Sequence, residues 1–190
     1  MRDGFHRELI AALDGSQGHP PPLTVLEGLS LREARSRPLR RVPSIYEILA
    51  HMNYWQSLLL NFLENAGDKL RYDADASWPP IPQRVTEPDW TALVDQFESG
   101  LYRAIGVSQA RDLNTRVNPT EEHTYGTVLL MLAEHNAYHC GQIVTIRQVL
   151  DRWPPEGQDI PEPTEGHLTT PSDDDLATAN HRTQEQPASA

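Results

Sequence analysis

Between Thr124 and Trp153 the apolar residues Val128, Leu132, Ile143, Ile146 and Leu150 recur at helical spacing, and His135 and His139 stand near the middle of the arc they define. A helix built on this pattern must bury its stripe. In doing so it carries two polar rings to positions where leucine or isoleucine would ordinarily pack. Each buried imidazole costs about 1–3 kcal/mol unless its nitrogens find partners, and an apolar stripe offers few. Residues four apart on a helix have Cβ atoms about 5–6 Å apart, so both rings can turn toward one ion. A hydrogen-bonded core histidine is the plainer account of either ring alone; the pair on one stripe favours a shared metal. The metalloprotease pattern HExxH is excluded, because Asn136 rather than Glu follows His135.

The rest of the body also reads as helix, with no sustained alternation that would mark a strand. A short first helix spans about residues 3–14 and stops at Asp14-Gly15, ahead of His19-Pro20-Pro21-Pro22. Leu23 to Arg35 is a weaker segment, suited to a turn or a short helix. A second principal helix opens at a capping box of Ser44 and Glu47 and runs along Ile45, Ile48, Met52, Trp55, Leu59 and Phe62 until Gly67. The proline-punctuated stretch from Asp73 to Thr86 is a long irregular crossover. Pro88-Asp89 opens a third helix with a stripe of Trp90, Leu93, Val94, Phe97, Leu101 and Ile105, and Gly106 weakens its end. The fold class is therefore an all-α bundle.

Composition changes at Pro154. Residues 154–190 carry eight acids against one base, six prolines and no aromatic residue, a mixture that cannot bury enough apolar surface to offset its ordering entropy. The expectation is a folded domain over 1–153 and an acidic, disordered tail over 154–190. The tail holds −7 of the net charge of −11, so the body is only mildly acidic, and its basic residues form no stripe that would track phosphates. Nucleic acid is not an expected partner. No apolar run reaches the roughly 20 residues of a membrane span, and the opening MRDGFHRELIAAL is not a signal-peptide core, so a cytoplasmic protein without a membrane partner is expected. The single cysteine, Cys140, excludes an internal disulfide; about 100° round the helix from His139, it reads as a structural thiol.

A third ligand is needed, and His51 offers one. It lies at the flank of the second principal helix, where its ring can either lean between helices or sit partly exposed. With His51 in IYEILAHMNYW and the pair in LLMLAEHNAYHCGQI, the chain resembles the DinB-like superfamily, which includes the YfiT type of metal-dependent hydrolase, over roughly residues 1–152. The Trp78-Pro79 loop is similar to that family's crossover. Two features depart from the pattern: Cys140, where a larger apolar residue is common, and the acidic tail.

The resemblance implies an up-down-down-up four-helix bundle in which His51, His135 and His139 bind one divalent metal, followed by Gly141-Gln142-Ile143. Three histidines without a fourth protein ligand describe an open site, suited to activating water or receiving a thiolate. Zinc, nickel or iron would each be accepted. The implied activity is that of a metal-dependent transferase using a low-molecular-weight thiol and an electrophilic substrate, or of a hydrolase; the implied assembly is a homodimer. A non-catalytic metal-stabilised bundle, serving association or a metal or stress response, is the alternative. Gln142, about 20° from the His135 direction, is a candidate to orient a ligand ring, although solvation suits it as well. Glu134 points away, Glu47 is explained by its cap, and His6, His19, His123, His167 and His181 lie in end, loop or tail contexts.

Deleting residues 156–190 is expected to leave folding and metal uptake intact, as read by thermal melting and elemental analysis of the shortened chain. Loss of either would show that the tail contributes to the fold.

Overall fold

The computed structural model describes residues 2–16, 18–65, 69–120 and 122–158. Most of the tail, residues 159–190 with His167 and His181, lies outside the described residues, and so does Gly67, the expected stop of the second principal helix. Among the described residues there are five α-helices and no β-strand: α1 (Arg2–Asp14), α2 (Leu31–Ala34), α3 (Ile45–Glu64), α4 (Glu87–Ala110) and α5 (Tyr125–Val149). None is long and apolar enough to cross a membrane.

Four of the five helices begin where local chemistry supplies partners for their unpaired N–H groups. Ser44 accepts from the Glu47 N–H while the Glu47 carboxylate accepts from the Ser44 N–H at 2.8 Å, as the sequence reading expects. Ser30 and Glu33 repeat the device on α2, within the segment read as a turn or short helix, which also holds a 3-10 turn at Thr24–Leu26. On α4 the Asp89 carboxylate takes both the N–H and the hydroxyl of Thr86. On α5 Thr124 and Thr127 cap each other. At the end of α1, Gly15 has φ +79°, and its N–H returns to the Ala11 carbonyl at 3.1 Å.

Two boundaries differ from the sequence reading. Gly106 lies inside α4, which continues to Ala110. It faces open space, and one glycine at about 1 kcal/mol does not stop a helix that is otherwise packed. α5 ends at Val149 rather than near Trp153. There Asp151 takes φ +53° and the Arg152 N–H returns to the Arg147 carbonyl at 2.8 Å, while the buried Arg147 guanidinium donates to the carbonyls of Val25, Glu27 and Arg152. Pro155, just beyond Trp153, is buried.

The register between helices fixes the topology. Asn53 donates to the Leu93 carbonyl, Gln56 to the Phe97 carbonyl, and Arg103 grips Glu64 with two hydrogen bonds, so α3 and α4 run parallel with numbers rising together. Parallel neighbours need a crossover, which residues 65–86 supply. α5 runs antiparallel to α3. The C-terminal half of α3 (Leu59, Leu60, Phe62, Leu63) shares a core cluster with Val128, Leu129 and Leu132, whereas Ile45, Ile48, Leu49 and Met52 share another with Cys140, Ile143 and Ile146. α1 starts where α4 ends and α5 begins: a Cβ placed on Gly126 would lie 3.1 Å from the Phe5 ring, and His6 reaches the Arg111 carbonyl. The result is the up-down-down-up bundle.

Between the two apolar clusters runs a polar waist. Among its residues are the buried His51, Asn53, Gln56, Asn136 and His139. Gly100 is part of how it closes, because a Cβ there would stand 2.0 Å from Gln56 Nε2.

Gly100→Ala is expected to cost about 1–3 kcal/mol in a denaturant titration, by pushing Gln56 off the Phe97 carbonyl. In the double variant Gly100→Ala, Gln56→Ala the combined loss should be smaller than the sum of the single losses. Strict additivity would show that the two residues do not compete for that space.

Candidate metal centre

α3 and α5 bring His51, His135 and His139 together at the waist. Each offers one ring nitrogen, and these atoms all lie within 4.8 Å of one another. His51 is 6 % and His139 4 % exposed, while His135 is half-buried and forms the open side. The flank position of His51 thus resolves inward, because antiparallel packing turns that side of α3 onto α5.

Hydrogen bonds at the outer nitrogens select which nitrogen faces inward. Nδ1–H of His51 donates to the Ser77 carbonyl at 2.6 Å, and Nδ1–H of His139 donates to Gln142 Oε1 at 2.8 Å. Both rings therefore turn a bare Nε2 lone pair away from those contacts, the arrangement in which ligating histidines are usually held. Gln142 in turn donates to the Tyr138 hydroxyl at 3.0 Å.

Nε2 of His135 stands 3.2 Å from Nε2 of His51. If His135 carries its proton on Nδ1, two lone pairs face each other; if on Nε2, the buried Nδ1, which has no hydrogen-bond partner, holds a bare lone pair instead. Neither tautomer satisfies both atoms. A cation between the Nε2 atoms would remove the first conflict, and three converging imidazoles are a donor set that divalent metals accept. The residues present therefore fit a divalent metal.

Electrostatics agree with the geometry. Burial holds His51 and His139 below the usual imidazole range, and burial reinforced by the neighbouring His139 and His51 pushes His135 down to about 3. All three rings are neutral near pH 7, the state that ligates a metal.

No carboxylate belongs to this group among the described residues: Glu134 is exposed, and Glu47 is held by its cap and by Arg37. Cys140 is fully buried in the apolar cluster of Ile143 and Ile146, where burial raises its thiol to about 12. His6 and His19 bond main-chain carbonyls, and His123 sits edge-on to Phe62.

The sequence reading did not find the aromatic surround. Trp78 stacks on His51 with centroids 4.0 Å apart and planes 12° apart, Trp55 lies 5.6 Å from His135, and Tyr138 lies 4.9 Å from His139. A signal was present for two of these, since Trp55 follows His51 by four residues and Tyr138 follows His135 by three. For Trp78 the signal was the likeness of the Trp78-Pro79 loop to the family's crossover, while its contact with His51 exists only in the folded loop.

A family model for the DinB superfamily matches residues 23–143, which contain all three histidines and Gln142. Comparison with curated proteins and with solved structures gave no match.

A pH dependence follows for the metal-free protein. The folded-state pKa of His135 lies near 3, below that of the unfolded chain, and those of the other two rings are lowered as well. The unfolded chain therefore takes up protons first as pH falls, and stability declines below about pH 6.5. Metal-free protein should melt at a lower temperature at pH 5.5 than at pH 7.5, with a smaller difference in His135→Leu. Equal slopes in the two proteins would remove His135 from this account.

Proposed function

The chain belongs to the DinB superfamily, and from that premise we propose that it is a metal-dependent enzyme which joins a low-molecular-weight thiol to an electrophilic substrate. The observation that carries the reading is the set of three neutral imidazoles meeting within 4.8 Å, two of which, His51 and His139, have their outer nitrogens tied to Ser77 and Gln142. His51, His135 and His139 would hold the ion through Nε2, with the half-buried side at His135 as the approach. When bound, the metal would supply Lewis acidity toward a thiol or a carbonyl placed at its open position.

Thiol transfer is favoured over hydrolysis by what surrounds the histidines. Hydrolysis asks for a positioned base to take a proton from water, and no carboxylate joins this group among the described residues. A thiol asks less, since its proton leaves to solvent near neutral pH once the pKa is lowered. In the transfer, sulfur forms a bond to the electrophilic carbon while that carbon releases its leaving group with the bonding pair. The chain's own part is to orient, with Ser77 and Gln142 fixing two rings and Trp78 shielding one face of His51 from water.

A non-catalytic reading has one observation in its favour: the histidines sit between two apolar clusters, where an ion would staple α3 to α5. Chelation separates the two. A large fall in melting temperature with no turnover across a panel of thiols and electrophiles would favour the staple.

Elemental analysis should find one divalent ion per chain, lost in His51→Ala and His139→Ala. Gln142→Ala should keep the site but weaken metal affinity by about 10–100-fold, as the loss of an orienting partner does elsewhere. Wild-type protein that takes up no metal from a zinc, nickel and iron series would overturn the proposal.

A further inference from the structure

Five aromatic side chains are exposed among the described residues: Phe5, Tyr72, Trp78, Tyr102 and Tyr138. Three of them surround the histidine cluster, with Tyr72 63 %, Trp78 42 % and Tyr138 64 % exposed. Trp78 lies over His51 and edge-on to His139 at 6.2 Å; Tyr72 packs on Trp55 at 5.2 Å, and Trp55 on His135; Tyr138 stands against His139. His135, the half-buried member of the cluster, lies against Trp55.

These rings are held in place. The Ser77 carbonyl beside Trp78 is fixed by His51, and the Ser77 hydroxyl donates to the Ala74 carbonyl at 2.7 Å. Tyr54 both accepts from the Asp73 N–H and donates to the Asp73 carbonyl, which pins the start of the crossover loop next to Tyr72. Tyr138 is positioned by Gln142. A wall fixed before binding loses little entropy when a ligand arrives. Leaving so much aromatic surface in water beside a reactive centre is costly unless something flat covers it.

The rings of the wall are themselves neutral, and the cation–π contacts found among the described residues lie elsewhere, at Tyr125 and Trp153. Aromatic cages do bind organic cations, but a divalent ion at the adjacent histidines would repel one.

We propose that the mouth above His135 binds the substrate's non-reacting part as a flat, uncharged aromatic or conjugated group, stacked on Trp78 and bordered by Trp55, Tyr72 and Tyr138. This deepens the functional reading above and rests on it for the group's being part of a substrate, whereas binding of the ring itself does not require the ion. The Tyr138 oxygen accepts from Gln142, so its own O–H is free to meet an acceptor on the bound group.

The test is calorimetric titration of the full chain, metal-free and metal-loaded, with three probes: 2-naphthol, its saturated analogue 2-decalinol, and phenyltrimethylammonium. The proposal expects one 2-naphthol per chain, bound on the order of tenfold more tightly than 2-decalinol, and weakened by a similar factor in both Trp78→Leu and Tyr138→Leu. Both variants alter exposed side chains, and their melting temperatures report whether the fold is kept. Naphthol affinity unchanged in both variants would overturn the proposal, since it would place the ring elsewhere, such as the cleft of about 470 Å³ beside Trp90. So would equal affinity for 2-decalinol, or a preference for the cation. Naphthol bound as expected by a chain that takes up no metal would support the ring site while sinking the enzyme reading.

Discussion

Three imidazoles placed at mid-height in a helix bundle set the terms for everything around them. Above and below, the core is hydrocarbon that packs without direction; at the waist every nitrogen must be accounted for, because an unmatched buried polar atom costs about 1–3 kcal/mol. The chain meets this by giving the outer nitrogens of His51 and His139 main-chain and side-chain acceptors, which leaves the inner nitrogens facing a common space. Satisfying the outside of those two rings creates the demand on the inside.

The long crossover is the topological counterpart of that demand. Had α3 and α4 been joined by a short turn they would have been antiparallel, and no segment would have been free to fold over the site. Because they run parallel, the chain must return along the bundle between them, and the described residues 69–86 deliver the Ser77 carbonyl and the Trp78 ring to His51 at the waist. One connection thus provides hydrogen bonding, shielding and an aromatic wall.

How much of this could be read from the sequence depended on whether the information was local. The capping box at Ser44, the apolar stripes and the abnormal presence of His135 and His139 in one of them are short-range patterns, and they gave the helices and two members of the cluster. His51 was ambiguous by periodicity alone, since only packing against α5 decides which way a flank residue turns; the family resemblance supplied what geometry could not. Gly106 misled because its cost is small beside that of unpacking a helix, and the end of α5 was misplaced because the chain turns at Asp151, a residue other than glycine held at φ +53°. Of the aromatic surround, Trp55 and Tyr138 lie within one helical turn of site histidines, whereas Trp78 reaches the cluster only through the folded crossover loop.

The position of Cys140 has a chemical consequence. It follows a site histidine directly, yet helical geometry swings its sulfur through about a third of a turn into the apolar cluster, where it is fully enclosed and held protonated. The chain's sole sulfhydryl thus stands behind the backbone of the helix that bears it, and no thiol of this protein reaches the space where the three histidines meet.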